Sequence, residues 1–83
     1  MIERSSHAEG AMESDGISEE EVRHCLENGE LEIRQVVGGE TRYGKQLELK
    51  DKKIMVIYSL LRDVQRVITA YTIQRKRTWQ RKN

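Results

Sequence analysis

Two hydrophobic periods divide this 83-residue chain, a helical one over its first third and one close to two residues from Leu31 onward. Ser6 and Glu9 have the Ser-x-x-Glu spacing of a capping box, in which each side chain satisfies a backbone amide left free at a helix start. Ala8, Ala11 and Met12 then share one face of the predicted helix, and Asp15-Gly16 stops it, because glycine takes the left-handed conformation after a helix without strain. A second helix is better marked: Ser18 caps it, Glu21 closes the box, Ile17 staples onto Val22, and Glu19 to Glu21 put negative charge at the positive end of the dipole. Val22, Cys25 and Leu26 form its apolar stripe, and Asn28-Gly29 ends it.

The rest of the chain reads as four strands. Leu31 to Val37 alternates and stops at Gly38-Gly39, a natural hairpin turn. Arg42 to Lys50 places Tyr43, Lys45, Leu47 and Leu49 on one side, and Asp51-Lys52 reverses the chain. Lys53 to Leu61 is apolar on both faces, the pattern of a central strand. Arg62-Asp63 makes the last turn, and Gln65 to Ile73 follows, with Val67, Thr69, Tyr71 and Ile73 on one face and Ile68, Ala70 and Thr72 on the other. The expected fold is α+β, with two N-terminal helices packed on one face of a four-stranded antiparallel sheet. It forms one domain over residues 1–83, with a core over about 5–73 and a basic tail over 74–83.

Composition narrows the class. Hydrophobic residues at 36% and charged residues at 35% describe a highly charged globular domain rather than a disordered chain, and at this length only about 60% of the unfolded surface is buried. The longest uncharged apolar run, Ile54 to Leu61, falls far short of the roughly 18 residues of a membrane span, and Glu3 and Arg4 interrupt any secretory-signal pattern. The expectation is a cytoplasmic protein without a membrane partner. Cys25 is the single cysteine, on an apolar stripe, so it is expected buried and inert.

The net charge of +1 hides a split: residues 1–32 hold ten of the 14 acids and only Arg4 and Arg23 as cations, whereas residues 33–83 hold 13 cations against four acids. A fold that separates the two regions presents a basic surface that attracts phosphates; the plainer reading is that the halves neutralise each other. Beyond Ile73 come Arg75, Lys76, Arg77, Arg81 and Lys82 with no acid, and Trp79 among them. Cations that track phosphates beside an indole that stacks on a base suit single-stranded nucleic acid, and a solubilising terminus is the plainer alternative. The nucleic-acid candidates are Arg42, Lys45, Arg75, Arg77 and Trp79. Gly39 to Lys45 imitates a phosphate loop, but Gln46 stands where a magnesium-binding hydroxyl belongs and a strand follows instead of a helix, which excludes nucleotide hydrolysis. His24-Cys25 has no second pair at zinc spacing, so neither a metal nor a cofactor is expected.

The succession of Ser5-x-His7-Ala8, Gly16-Ile17-Ser18-Glu19-Glu20-Glu21-Val22, Asn28-Gly29-Glu30, Tyr43-Gly44 and Val67-Ile68-Thr69-Ala70-Tyr71 resembles a family known as domain of unknown function 4258, over about Ser5 to Tyr71. That family is similar to RelE/ParE toxins, BrnT toxins and colicin-type ribonucleases. The resemblance implies a metal-independent ribonuclease, the toxin of a toxin-antitoxin pair, with RNA as ligand and an antitoxin-like protein as partner. Such cleavage needs an acid/base, for which His7 is the natural group, with Thr69 and Tyr71 beside it and Arg42, Lys45, Arg75 and Arg77 as cations. The plainer readings are a local hydrogen bond for His7 and strand propensity for Thr69 and Tyr71. Family members often read His-Ala-x-x-Arg-Met-x-x-Arg-Gly-Ile; here Ala11 and Asp15 replace both arginines, so phosphate must be held by strand or tail cations or the activity is lost. The alternative function is a non-catalytic interaction module whose acidic helices or exposed sheet edge receive a protein partner or a second copy of the chain.

Overall fold

A computed structural model describes residues 2–73, which run β1 (Ile2–Arg4), α1 (Ser6–Asp15), α2 (Glu19–Asn28), β2 (Glu30–Val37), β3 (Glu40–Glu48), β4 (Lys53–Leu61) and β5 (Val64–Ile73). The box at Ser18 closes as its spacing predicts: the Ser18 amide donates to Glu21 Oε1 at 3.0 Å and the Glu21 amide donates to Ser18 Oγ at 3.1 Å. These bonds, with Lys52 nearby, hold the Glu21 carboxyl below its ordinary pKa. Gly16, at φ 66°, ends α1, where its amide reaches the Glu13 carbonyl and that of Ile17 reaches the Met12 carbonyl at 2.8 Å. The buried Met12 and Ile17 make the apolar contact that accompanies this pair of bonds.

The sheet has five strands in the order β1-β5-β4-β3-β2, antiparallel throughout except for β1, which lies parallel to β5. This corrects the expected four-stranded antiparallel sheet. Ile2–Arg4 is too short to show an alternation of its own, and pairing with Gln65, Arg66 and Val67 together with packing of Ile2 on the core makes it a strand. A second correction concerns the start of α1, capped by Ser5 and not Ser6. Ser5 Oγ accepts from the Ala8 amide at 3.0 Å, its hydroxyl donates to the Ile68 carbonyl at 3.2 Å, and its amide donates to the Val67 carbonyl at 3.2 Å. Glu9, freed from the expected box, meets Arg4 at 3.5 Å.

Ile68 is the extra residue of a bulge: Val67 pairs with Tyr58 and Thr69 with Ile57, which leaves Ile68 without a partner on β4. The bulge breaks the expected alternation of β5. Val67 and Ala70, both fully buried, share the core face, while Thr69, Tyr71 and Ile73 fall on the other. The central position of β4 agrees with its two-sided apolar pattern, as does burial of both Val56 and Met55.

Both helices lie on one face of the sheet. Ala8, Met12, Ile17, Val22, Cys25 and Leu26 close over Ile54, Val56, Tyr58, Val67 and Ala70, with Tyr43, Leu47 and Leu49 at the margin. Arg4 joins β1 to α2 through Glu19 at 2.8 Å, and Lys52 bridges the Gly16 carbonyl at 2.7 Å and Glu21 at 3.2 Å. At the far end of α1, Asp15 Oδ2 accepts from the Thr72 amide at 2.8 Å. Gly29, at the end of α2, is required by close approach: a Cβ there would sit 2.6 Å from the Cys25 carbonyl oxygen and 2.7 Å from that of Gln46.

Two stability outcomes follow from these contacts. Ser18→Ala removes one cap and costs about 1 kcal/mol, whereas Ser5→Ala also strips the Ile68 carbonyl of its donor and costs about 2 kcal/mol, a difference that urea unfolding measures. Gly29→Ala forces two backbone carbonyls apart and lowers stability by about 2 to 3 kcal/mol in the same assay.

Candidate nucleic-acid interface on the open sheet face

The face of the sheet away from the helices is set by the strand register. Its rows run Arg66, Ser59, Arg42 and Gln35; then Thr69, Ile57, Gly44 and Ile33; then Tyr71, Met55 and Gln46. Side chains of Ile33 and Ile57 meet over Gly44, where an added Cβ would come within 3.0 Å of both. The first row is the polar one. Arg42 and Arg66 flank the buried Ser59 from the two strands beside β4, so their backbones stand about 10 Å apart, a gap that two long guanidinium side chains can close.

Arg42 is the unusual member. Among the described residues its Nε is buried without a hydrogen-bond partner, and its ion pair to Glu40 is 3.5 Å long and more than a third exposed on both sides. An exposed pair of that kind contributes little, so the guanidinium retains capacity for an anion. Among the described residues no ion pair engages Arg66. Beyond the Arg42–Ser59 pair the ladder between β3 and β4 stops, while each strand continues with its own hairpin partner to Val37–Glu40 and Leu61–Val64. The two hairpin ends therefore diverge around a cleft of about 470 Å³, lined by Glu40, Thr41, Tyr43, Ser59, Leu61 and Arg66 among others.

The fold separates the residues singled out in the sequence. Thr69 and Tyr71 lie on the open face, Thr69 in the row next to that of Arg42 and Tyr71, exposed, in the row after it. His7 is exposed on α1 beside the buried Ala8, on the helical layer, so the sheet stands between it and the Thr69–Tyr71 pair. Lys45 also faces the helices: its ammonium donates to the Leu26 carbonyl at 2.7 Å near the C-terminal end of α2, and it lies 6.0 Å from the Tyr58 ring centre. Arg75, Arg77 and Trp79 lie outside the described residues. Ser59 and Arg66 were not singled out in the sequence, because only the β3–β4–β5 register puts them beside Arg42. Ala11 is half-buried on α1, and Asp15 ties that helix to β5 through a structural hydrogen bond.

Among the described residues no group of three or more His, Cys, Asp or Glu side chains is placed to hold a metal ion, and no helix is long and apolar enough to cross a membrane. Cys25 is fully buried, its thiol donates to the Lys45 carbonyl at 3.3 Å, and burial pushes its pKa up to about 11. It is therefore expected to react with iodoacetamide at about pH 8 at least a hundredfold more slowly in the folded protein than in denaturant, as mass spectrometry of the labelled chain would show. A search of curated proteins finds no match to this chain. The family model described as Domain of unknown function (DUF4258) matches residues 4–72, nearly the whole of the described structure, and the chain belongs to that family.

Proposed function

We propose that this domain is a distant relative of the RelE/ParE and BrnT toxins that binds single-stranded RNA on its open sheet face without cleaving it. The observation that carries this reading is the Arg42–Ser59–Arg66 row, in which two guanidinium groups flank a hydroxyl and Arg42 Nε is buried without a partner. A phosphate seated between them would accept from both arginines, and planar guanidinium groups suit phosphate better than an ammonium does. Tyr71, 40% exposed on the same face, offers a ring on which a base can stack. Arg75, Arg77 and Trp79 follow Ile73 in the sequence and would extend the same cation-and-aromatic chemistry. Cleavage is left out of the reading because His7 stands on the opposite layer from Thr69 and Tyr71, whereas general acid–base catalysis needs its groups within hydrogen-bond reach of one substrate.

The test is anisotropy of a labelled single-stranded RNA titrated with the full chain, with a denaturing gel of the same RNA. Raising salt from about 50 to about 200 mM should weaken binding about tenfold, and Arg42→Ala and Arg66→Ala should each weaken it about five- to tenfold, whatever the base sequence. RNA should remain intact on the gel. Absence of binding, or binding indifferent to both substitutions, would remove the reading; fragments that disappear with His7→Ala would replace it with an enzymatic one.

A further inference from the structure

The two edges of the sheet are treated differently. On the β5 side the backbone is covered at several points, by the short β1 over Gln65 to Val67, by Ser5 at the Val67 and Ile68 carbonyls, and by Asp15 at the Thr72 amide. The β2 edge has no such cover among the described residues: Leu31, Val36 and Val37 are 52%, 66% and 42% exposed, and Ile33 is the one strand residue that is even half-buried. An open edge with apolar side chains is a template for another strand. We propose that β2 pairs antiparallel with β2 of a second copy of this chain, about a two-fold axis at Ile33. The inference is independent of RNA binding, because Arg34 and Glu32 belong to the edge and not to the Arg42–Ser59–Arg66 row.

The register follows from hydrogen-bond parity and charge. Gly38 and Gly39, at φ 58° and 81°, form a two-residue turn closed by the Val37–Glu40 pair. A closing pair of this kind exchanges hydrogen bonds, so the backbone groups of Val37, Gln35 and Ile33 point to β3, and those of Val36 and Arg34 point away. Two identical edges can then meet only with outward residues opposite outward residues, which places the two-fold axis on a residue and not between two. An axis on Arg34 would set like charges together. An axis on Ile33 sets Glu32 opposite the partner's Arg34 and Arg34 opposite the partner's Glu32, two opposite-charge pairs of the kind that stabilises cross-strand neighbours. Glu32 is available for this, since the bulge between Leu31 and Ile33 leaves it without a partner on β3. The apolar row Ile57, Gly44 and Ile33 ends at this edge and would continue into the partner's Ile33, so the contact has an apolar centre between charged flanks.

An interface of one strand from each copy is small, and a dissociation constant in roughly the micromolar range is expected. Sedimentation velocity over a concentration series should show a monomer–dimer equilibrium. Arg34→Glu or Glu32→Arg alone, which sets like charges opposite each other, should raise the dissociation constant about tenfold or more, and the double exchange Glu32→Arg with Arg34→Glu should restore it. As a second readout, Ile33→Cys should give a disulfide-linked dimer under mild oxidation, because residues facing across such an axis have Cα atoms within disulfide reach, whereas Gln35→Cys should not. A monomer at all concentrations, failure of the double exchange to restore association, or cross-linking through Gln35 in place of Ile33 would overturn the proposal. None of these outcomes bears on the RNA titration, which reads Arg42 and Arg66.

Discussion

Four hydrogen bonds converge on Ser5, one of them from the Glu9 amide to its carbonyl, and the placement of the N-terminal third of the chain depends on them. Its amide and hydroxyl donate to the carbonyls of Val67 and Ile68, and its Oγ accepts from the Ala8 amide at the start of α1. The Ile68 carbonyl needs that donor because Ile68 is the bulged residue of β5, without a partner on β4. One serine therefore satisfies a bulge, holds the end of β1 beside β5 and starts a helix. The bulge in turn puts Val67 and Ala70 together on the core face and leaves Thr69 and Tyr71 on the other, so the composition of the open face rests on the same contact. With a core of eleven buried residues among those described, a few tertiary hydrogen bonds of about 1 kcal/mol each are a large share of the net stability.

Two groups of cations within the charge split take different roles among the described residues. Arg4, Lys45 and Lys52 are structural: the first holds Glu9 and Glu19, the second the last turn of α2, the third the Gly16 carbonyl and Glu21. They stitch the acidic helices to the sheet, and the Lys52–Glu21 pair neutralises charge between the acidic and basic halves of the chain. Arg42 and Arg66 lie on the other face, beyond the reach of those helical acids, and their proximity to each other is what makes that face a candidate for phosphate. A cation's place in the sequence does not tell the two groups apart. Lys45 and Arg42 are three residues apart on one strand, and odd against even position sends one toward α2 and the other away from it.

How much of the candidate site could be read from the chain follows the same division. Arg42, Thr69 and Tyr71 are legible as strand residues of suitable chemistry, but their common face is not, because the Ile68 bulge shifts Thr69 away from the face of Val67. Ser59 and Arg66 carry no local signal at all. Their relation to Arg42 exists only across the ladder, between segments joined by two separate hairpins.

What the sequence determined by itself is the set of local decisions: the capping box at Ser18 and Glu21, the glycine stop at Gly16, the turn at Gly38-Gly39 and the central strand Lys53–Leu61. Each depends on residues within a few positions of one another, so spacing and side-chain type suffice. Tertiary structure alone decided that Ile2–Arg4 is a fifth strand, that Ser5 and not Ser6 caps α1, that β5 bulges, and that Asp15 ties α1 to the Thr72 amide of β5. Those outcomes depend on hydrogen bonds such as Ser5 to Ile68, 63 positions apart. Bonds of that range form only once the sheet has brought distant backbone together, and no local period of hydrophobic and polar residues encodes them.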